Sequence, residues 1–103
     1  MNKKFKMIEN YDVVNLQPTF SKQKSFYGKA KIIKADGANR LISYDTEIIE
    51  FDARGKRKML CGPEALSNTT LKHLREFLRQ FGYRDIAELT KKELLKELYK
   101  KEL

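Results

Sequence analysis

Three side chains in residues 23–33 have the types and spacing of a nucleic-acid contact: Tyr27, Lys29 and Lys31. If this segment is a β-strand that begins at Ser25, alternate residues point to the same face, so the three side chains lie in line about 7 Å apart. An aromatic ring beside lysines is how single-strand-binding sheets hold bases and phosphates, and stacking contributes about 1 to 3 kcal/mol per base. The segment therefore predicts a basic, aromatic sheet face. A solvated face without a ligand is the alternative interpretation.

Further cations extend this prediction along the chain. The formal net charge is +8, and residues 1–34 hold eight lysines against Glu9 and Asp12. Such a charge suits phosphate or an acidic protein surface, and it argues against an acidic protein that imitates DNA. A second basic cluster, residues 54–58, is expected to form a turn that extends the groove. The predicted nucleic-acid-binding residues are Lys22, Lys24, Tyr27, Lys29, Lys31, Arg54, Lys56, Arg57 and Lys58.

The sequence supports a catalytic function less well than it supports nucleic-acid binding. A cysteine nucleophile needs a nearby base, and the sequence has one cysteine, Cys61, and one histidine, His73. Cys61 precedes Gly62 and is interpreted as a small buried residue at a strand end. The sequence has no Gly-rich phosphate loop and no carboxylate cluster with metal-ligand spacing. We therefore predict a protein that is not an enzyme and that needs no cofactor or metal.

The same single cysteine predicts a reducing compartment, because it allows no internal disulfide. No apolar run is long enough to cross a bilayer. The lysines at the N-terminus are not followed by the apolar segment of a signal peptide. The expected location is the cytoplasm.

Hydrophobic periodicity predicts an α+β fold in one domain, with an antiparallel β-meander of three to four strands followed by two C-terminal helices, the first of which covers one sheet face. Period-two alternation begins at Ser25, and Asp36-Gly37 marks a hairpin turn. The side assignment slips near Asp45-Thr46, which indicates a bulge or bend between one long strand or two short ones. The predicted segments are an arm over residues 1–24 with a short edge strand around residues 11–16, a sheet over residues 25–61, and helices over residues 67–82 and 90–101.

The start signals of both helices are visible in the sequence. Ser67 or Asn68 is a natural N-cap for the first helix, and Gly82 suits its C-terminal end. Thr90 to Glu93 has the spacing of a capping box for the second helix, which we expect to pack against the first; a partner-binding helix is the alternative.

The polar residues of the first helix receive two interpretations. Its mixed polar face is interpreted as solvated, and it consists of Lys72, Arg75, Glu76 and Arg79. Thr69 and Thr70 are expected to satisfy free amides of the first turn, with His73 one turn further on. The alternative is that this helix N-terminus binds a phosphate or a carboxylate.

Three blocks of the chain carry a resemblance to a known family. They are KSFYGKA over residues 24–30, LISYDTEI over residues 41–48 and SNTTLKHLREFLRQFG over residues 67–82. In this order they resemble a family of small uncharacterised proteins of phages, plasmids and conjugative elements of Gram-positive bacteria. This chain departs from the family pattern at Ile48, Lys72 and Leu74, where valine, arginine and isoleucine are usual. The resemblance implies a mobile-element setting and no particular activity.

Two classes of function follow from these observations. The first hypothesis is a non-enzymatic accessory protein of a phage or mobile element that binds nucleic acid through its basic and aromatic sheet face. The second is a protein–protein inhibitor or adaptor, such as an anti-defence factor that acts on a host immune nuclease. An uncovered edge strand would also favour a homodimer.

Overall fold

A computed structural model describes residues 11–100 of the chain. Within that range the chain forms five β-strands and then three α-helices, with a short 3-10 turn at Pro63–Ala65 between them. The strands are β1 (Asp12–Asn15), β2 (Ala30–Ala35), β3 (Ala38–Ser43), β4 (Thr46–Phe51) and β5 (Arg57–Met59). The helices are α1 (Asn68–Gln80), α2 (Arg84–Ala87) and α3 (Lys91–Leu98).

The strands form one antiparallel sheet in chain order, from β1 at one edge to β5 at the other. The α+β class and the meander are confirmed, but the predicted count of three to four strands is wrong. The fifth strand arises because the predicted edge strand of the arm, β1, joins the sheet, while the segment from Arg40 to Asp52 divides into β3 and β4. The division falls at Tyr44-Asp45, close to the predicted bend.

The hairpin between β2 and β3 forms where the sequence places it. Asp36 and Gly37 both have positive φ, 53° and 80°. A type I′ turn requires this combination, and its twist matches that of the two strands it joins. In the next hairpin, a bulge opposite Leu41 and Ile42 turns the adjacent residues Ile48 and Ile49 both into the core.

The predicted start of the strand that carries Tyr27 is wrong by five residues, because β2 begins at Ala30 rather than at Ser25. The N–H of Lys29 donates to the carbonyl of Phe26, and the residues between them have φ values of 54° for Tyr27 and 75° for Gly28. These are the features of a type I′ turn. Alternating residue types in this segment therefore belong to a tight turn, and Tyr27, Lys29 and Lys31 do not form one line on a strand.

Helix α1 covers one face of the sheet, as predicted. Its buried apolar side chains are Leu71, Leu74, Phe77 and Leu78, which share a core cluster with Ile32, Leu41, Ile49 and Phe51 of the sheet. The Ser67 hydroxyl accepts the Thr70 N–H at 3.2 Å, so Ser67 is the N-cap. Just beyond the helix, Gly82 has φ 90°. Both predicted ends of this helix are confirmed to within two residues.

Of the four residues on the predicted solvated face of α1, only Lys72 is exposed. Glu76 has no exposed surface, and Arg75 and Arg79 are half-buried. The Arg75 guanidinium donates to the carbonyls of Ala87 and Leu89 at 2.6 and 2.7 Å, so it holds the segment between α2 and α3 against α1. Periodicity alone assigns any charged side chain to water and cannot detect carbonyls or amides that approach it from elsewhere in the chain.

The capping box of the last helix is present, with reciprocal contacts between Thr90 and Glu93. The helix ends at Leu98, earlier than the predicted residue 101, which lies outside the described residues. Leu94 and Leu98 belong to the same core cluster as α1. The Tyr99 hydroxyl donates to the carbonyl of Cys61 at 2.8 Å, which fastens this end of the chain beside the last strand. None of the helices within residues 11–100 combines the length and the apolar character that a membrane span requires.

Candidate functional site

All three blocks noted in the sequence meet at one end of the sheet, where β2 begins and β3 ends. We call this region the His73 corner. It consists of Phe26, Tyr27, Lys29, Ser43, Tyr44, Thr70 and His73.

The inner half of the His73 corner is a buried polar network. The Ser43 hydroxyl lies 2.8 Å from His73 Nδ1 and 2.9 Å from the Thr70 hydroxyl. All three side chains are almost fully buried. The Phe26 ring meets the imidazole edge to face, with 4.7 Å between centroids. Burial lowers the pKa of His73, which favours the neutral imidazole.

The outer half of the corner presents two tyrosines and a lysine to solvent. Tyr27 is 75% exposed and Tyr44 is 49% exposed. The Lys29 ammonium group lies 5.9 Å from the centre of the Tyr44 ring, within the range of a cation–π contact. The Tyr44 ring also lies near His73, with 5.9 Å between ring centroids. The buried network therefore supports the ring that the surface displays.

Both exposed tyrosines have a left-handed backbone. Their φ values are 54° for Tyr27 and 56° for Tyr44, in a region that costs a residue with a side chain roughly 1 to 2 kcal/mol. Hydrogen bonds hold this geometry: the Tyr27 N–H donates to the Ser25 hydroxyl at 2.8 Å, and the Tyr44 N–H donates to the Lys29 carbonyl at 2.6 Å. The second bond joins the two turns that carry the tyrosines.

A segment that leads into the corner is fixed by a buried carboxylate. Residues 17–25, which we call the strap, connect β1 to the turn at Tyr27. Glu76 Oε2 accepts the N–H of Thr19 at 2.9 Å, and the N–H groups of Phe20 and Ser21 also donate to this carboxylate at 3.1 Å. Gln80 Nε2 adds a fourth donor at 2.7 Å. Consecutive backbone amides of this kind form an anion-binding nest, and here the anion is a side chain of the protein itself.

The structure brings together only part of the predicted site. Tyr27 and Lys29 lie in the corner, and Lys31 is exposed at the second position of β2, two residues beyond Lys29. Lys22 and Lys24 are exposed on the strap that leads to the corner.

The basic residues 54–58 lie elsewhere, and the predicted extension of the groove toward them is wrong. The turn between β4 and β5 lies at the same end of the sheet as the β2–β3 turn. Gly37 of the β2–β3 turn shows this, because a Cβ atom at Gly37 would lie 3.1 Å from the Cβ atom of Ala53. The corner lies at the opposite end, and the six residues of β3 separate the two ends by about 20 Å. The meander decides this separation, because successive turns alternate between the two ends of a sheet.

The members of that basic cluster also differ from one another. Arg54 and Lys56 are exposed on the turn, and Lys58 is exposed on β5, where it pairs with Glu50 across the ladder. Arg57 instead donates to Glu97 of α3 at 2.6 Å, and both side chains of this ion pair are about 70% buried. Arg57 therefore attaches α3 to the sheet.

Residues that suggest catalysis are placed unfavourably for it. Cys61 is half-buried, and burial raises the pKa of its thiol, which disfavours the thiolate. Its neighbours are the Ile48 carbonyl and the Tyr99 hydroxyl, both 3.9 Å from Sγ. Ser43 lies beside an imidazole but has only 1% exposure. In residues 11–100, no group of three or more His, Cys, Asp or Glu side chains is arranged to hold a metal.

Sequence reasoning missed Tyr44 and Ser43, which the structure places at the centre of the corner. It interpreted Thr70 as a residue that satisfies free amides, with a phosphate or carboxylate site as the alternative, and did not predict the contact of its side chain with Ser43. A sequence signal existed: Ser43 and Tyr44 belong to one of the three blocks that carry the resemblance. Their chain separation of about 30 residues from His73 hides the contact until the sheet and helix pack together.

A family model described as a family of unknown function, DUF8033, matches residues 14–96, and the chain belongs to that family. The matched region contains all three blocks of the His73 corner. No curated protein and no solved structure is detectably similar to the chain.

Proposed function

We propose that this member of the DUF8033 family binds single-stranded nucleic acid at the His73 corner. Tyr27 and Tyr44 stack on unpaired bases. Lys29 and Lys31 contact the phosphates on either side, and Lys22 and Lys24 add a more distant positive potential. The protein acts as a non-enzymatic accessory factor, and the resemblance of its three blocks supports a phage or other mobile element in a bacterial cytoplasm as the setting.

One observation carries the proposal: two largely exposed tyrosines are held in a left-handed backbone conformation on adjacent turns. Glycine or asparagine would adopt that conformation at a lower cost in free energy. Strained residues that the surrounding structure holds in place are concentrated at binding sites. Here the strain fixes the direction of two rings whose exposed surface makes little contribution to the core.

The shape of the site favours single strands over duplex. Every base has a face that can stack on a tyrosine, but that face is accessible only when the base is unpaired. A duplex would instead need a continuous basic surface, and the sheet separates the corner from the cations at residues 54–58. The expected footprint is therefore short, with two bases and the adjoining phosphates.

The second candidate is a protein–protein inhibitor or adaptor, such as an anti-defence factor. Exposed tyrosines favour it, because tyrosine is enriched among the residues that contribute most to protein interfaces. An acidic partner surface would satisfy Lys29 and Lys31 as phosphates would. Absence of nucleic-acid binding at low salt would place this candidate first.

Fluorescence anisotropy with short labelled oligonucleotides tests the proposal. Tyr27→Asn removes the ring and keeps a residue that tolerates the left-handed backbone. It should weaken single-strand binding by about 5- to 150-fold, which corresponds to roughly 1 to 3 kcal/mol of stacking, and it should affect duplex binding less. Because each phosphate contact contributes about 0.7 to the log–log salt slope on single strands, Lys29→Gln with Lys31→Gln should lower that slope by about 1 to 2.

The turn between β4 and β5 supplies a matched control. Lys56→Gln with Lys58→Gln removes the same charge at the far end of the sheet and should leave the salt slope nearly unchanged. Equal losses from both double variants would contradict a site at the corner and indicate nonspecific attraction to a basic protein. Tight duplex binding that Tyr27→Asn does not alter would also contradict it.

A further inference from the structure

We infer that the outer edge of β1 is a self-association surface, at which a second copy of this chain adds its own β1 antiparallel and extends the five-stranded sheet into a ten-stranded one. This inference is independent of the nucleic-acid proposal. The surface concerned is the outer backbone edge of β1, which lies within residues 11–100.

The direction of the backbone hydrogen bonds shows which groups face outward. The N–H of Leu16 donates to the carbonyl of Ala30 on β2 at 2.9 Å. Since antiparallel pairs alternate between bonded and non-bonded positions, Val14 and Asp12 also direct their backbone groups toward β2. Val13 and Asn15 direct their N–H and C=O groups away from β2. In residues 11–100, β1 is the edge strand on this side of the sheet.

Side chains on this edge are suited to contact with another strand. All four residues of β1 are exposed, with Val13 at 51% and Val14 at 40%. β-Branched residues pair well across strands. Edge strands that must remain unpaired usually carry lysine, proline or a bulge. β1 carries none of these features, and its register with β2 is unbroken over four residues.

The opposite edge of the sheet shows how this chain protects an edge. β5 has only three residues, two of which are the cations Arg57 and Lys58. Arg57 is also paired with Glu97 of α3, which lies beside this edge. In a chain with 22 lysines and arginines among 103 residues, a valine-containing edge strand without a cation stands apart. The two edges therefore differ in their capacity to accept another strand.

A second copy fits this edge because the edge is complementary to itself. A two-fold axis that passes between the two Val14 residues pairs each Val13 with Asn15 of the second copy. Both members of that pair direct their backbone groups outward, so they exchange two hydrogen bonds, and the symmetry repeats the exchange. Val14 meets Val14 in the closely spaced non-bonded position. Asp12 faces Leu16 of the second copy, so no like charges oppose each other.

Amide hydrogen exchange measured at rising protein concentration tests this arrangement. Exchange at Val13 and Asn15 should slow by about tenfold once the dimer outnumbers the monomer by that ratio. The amides of Val14 and Leu16 are bonded to β2 in the monomer, so their exchange should not depend on concentration. In sedimentation equilibrium the apparent mass should double over the same range. Added salt should favour the dimer, because each chain carries a charge of +8.

Two variants and one control complete the test. Val13→Pro removes an outward N–H and no bond to β2, and Val14→Lys opposes two charges across the axis; each should abolish the doubling of mass. Val13→Thr keeps the amide and the branched side chain and should still dimerise. A wild-type chain that stays monomeric at every concentration would overturn the inference, as would a dimer that Val13→Pro and Val14→Lys both leave intact.

Discussion

The two ends of the sheet use left-handed backbone conformations in opposite ways. At the end formed by the β2–β3 and β4–β5 turns, which we call the turn end, the residues with positive φ are Asp36, Gly37 and Gly55. These residue types adopt that conformation at little cost. At the His73 corner, Tyr27 and Tyr44 occupy it.

Both ends also carry exposed cations, so charge does not distinguish them. At the turn end, Asp52 Oδ1 accepts the N–H groups of Arg54 and Lys56, each at 2.9 Å, and the Tyr83 hydroxyl donates to the Gly55 carbonyl. In that turn the positive φ falls on a glycine, which adopts it without a side-chain cost. Backbone strain, more than the number of lysines, therefore distinguishes the corner as the candidate site.

The largest effect is expected from a substitution in the core, at Phe77. Phe77 of α1 stacks on Phe51 with 5.7 Å between centroids, and Phe51 in turn stacks on Tyr83, which fastens the turn end. Phe77→Ala should lower the free energy of unfolding by about 3 to 5 kcal/mol because it leaves a cavity in the core. Urea denaturation would measure it. Lys72→Ala, on the exposed face of the same helix, should stay within about 0.5 kcal/mol of the parent; a similar loss in both variants would mean that α1 is not core.

A smaller loss of stability is expected from a substitution at Glu76, and its effect on hydrogen exchange should differ between the two ends of the sheet. Glu76→Gln keeps one acceptor oxygen but replaces the other carboxylate oxygen with an NH2 group, which cannot accept the strap N–H groups. We expect a loss of about 1 to 3 kcal/mol, because backbone donors lose a buried acceptor. Hydrogen exchange should rise on the strap and at the Tyr27 turn, and it should stay unchanged at residues 54–56. Glu88→Gln, which removes an exposed partner of Arg79, is the control and should change stability little.

Protonation of His73 should destabilise the folded protein. In the folded protein, burial lowers the pKa of His73 below its ordinary value of 6.5. As the pH falls below 6.5, the unfolded chain therefore takes up the proton first. Stability should therefore decrease below pH 6.5, with a slope of at most one proton. Glu88 and Glu97, whose carboxyl pKa values are lowered from 4.5 by ion pairs, act in the same direction but below pH 4.5. Thermal melts from pH 7 to pH 5 would show the first effect, and a His73→Gln variant should lack it.

The smallest expected changes in the free energy of unfolding have opposite signs for substitutions at the two ends of the sheet. Tyr27→Gly should stabilise the fold by about 0.5 to 1 kcal/mol, because relief of the left-handed strain exceeds the added entropy of the unfolded chain. Gly55→Ala should destabilise it by about 1 kcal/mol, since its φ of 83° disfavours any side chain. Thermal denaturation of both variants would compare them. Destabilisation by Tyr27→Gly would show that the tyrosine contributes to folding and would remove the main support for a binding site at this corner.

Local signals predicted the parts of the fold that depend on neighbouring residues. The caps at Ser67 and Thr90, the turn at Asp36-Gly37 and the apolar stripe of α1 all act within a few residues. Each was therefore readable in the sequence. The short helix α2 was not, because four residues span about one turn and show no period.

Alternation of residue types misled the prediction at Tyr27. Alternation with a period of two is typical of an extended strand. The same spacing also occurs in a tight turn in which two consecutive residues have positive φ, as Tyr27 and Gly28 do here. The bonds from Tyr27 to Ser25 and from Tyr44 to the Lys29 carbonyl decide between them. The second joins residues 15 positions apart, so no local window contains it. Tyr44 was overlooked for the same reason.

Composition and local patterns were enough to predict the class of fold, the caps of the two long helices, the β2–β3 hairpin turn and the excess of positive charge, because each depends on composition or on residues within one or two turns. Long-range packing determines which of the charges share a surface. In the folded chain, Glu76 is buried beneath the amides of the strap and Arg57 is paired with Glu97. Residues 54–58 lie at the opposite end of the sheet from Tyr27. The physical reason is that burial and pairing of a charge depend on groups 40 to 57 residues away in the chain, which only the packed sheet and helix bring within hydrogen-bonding distance.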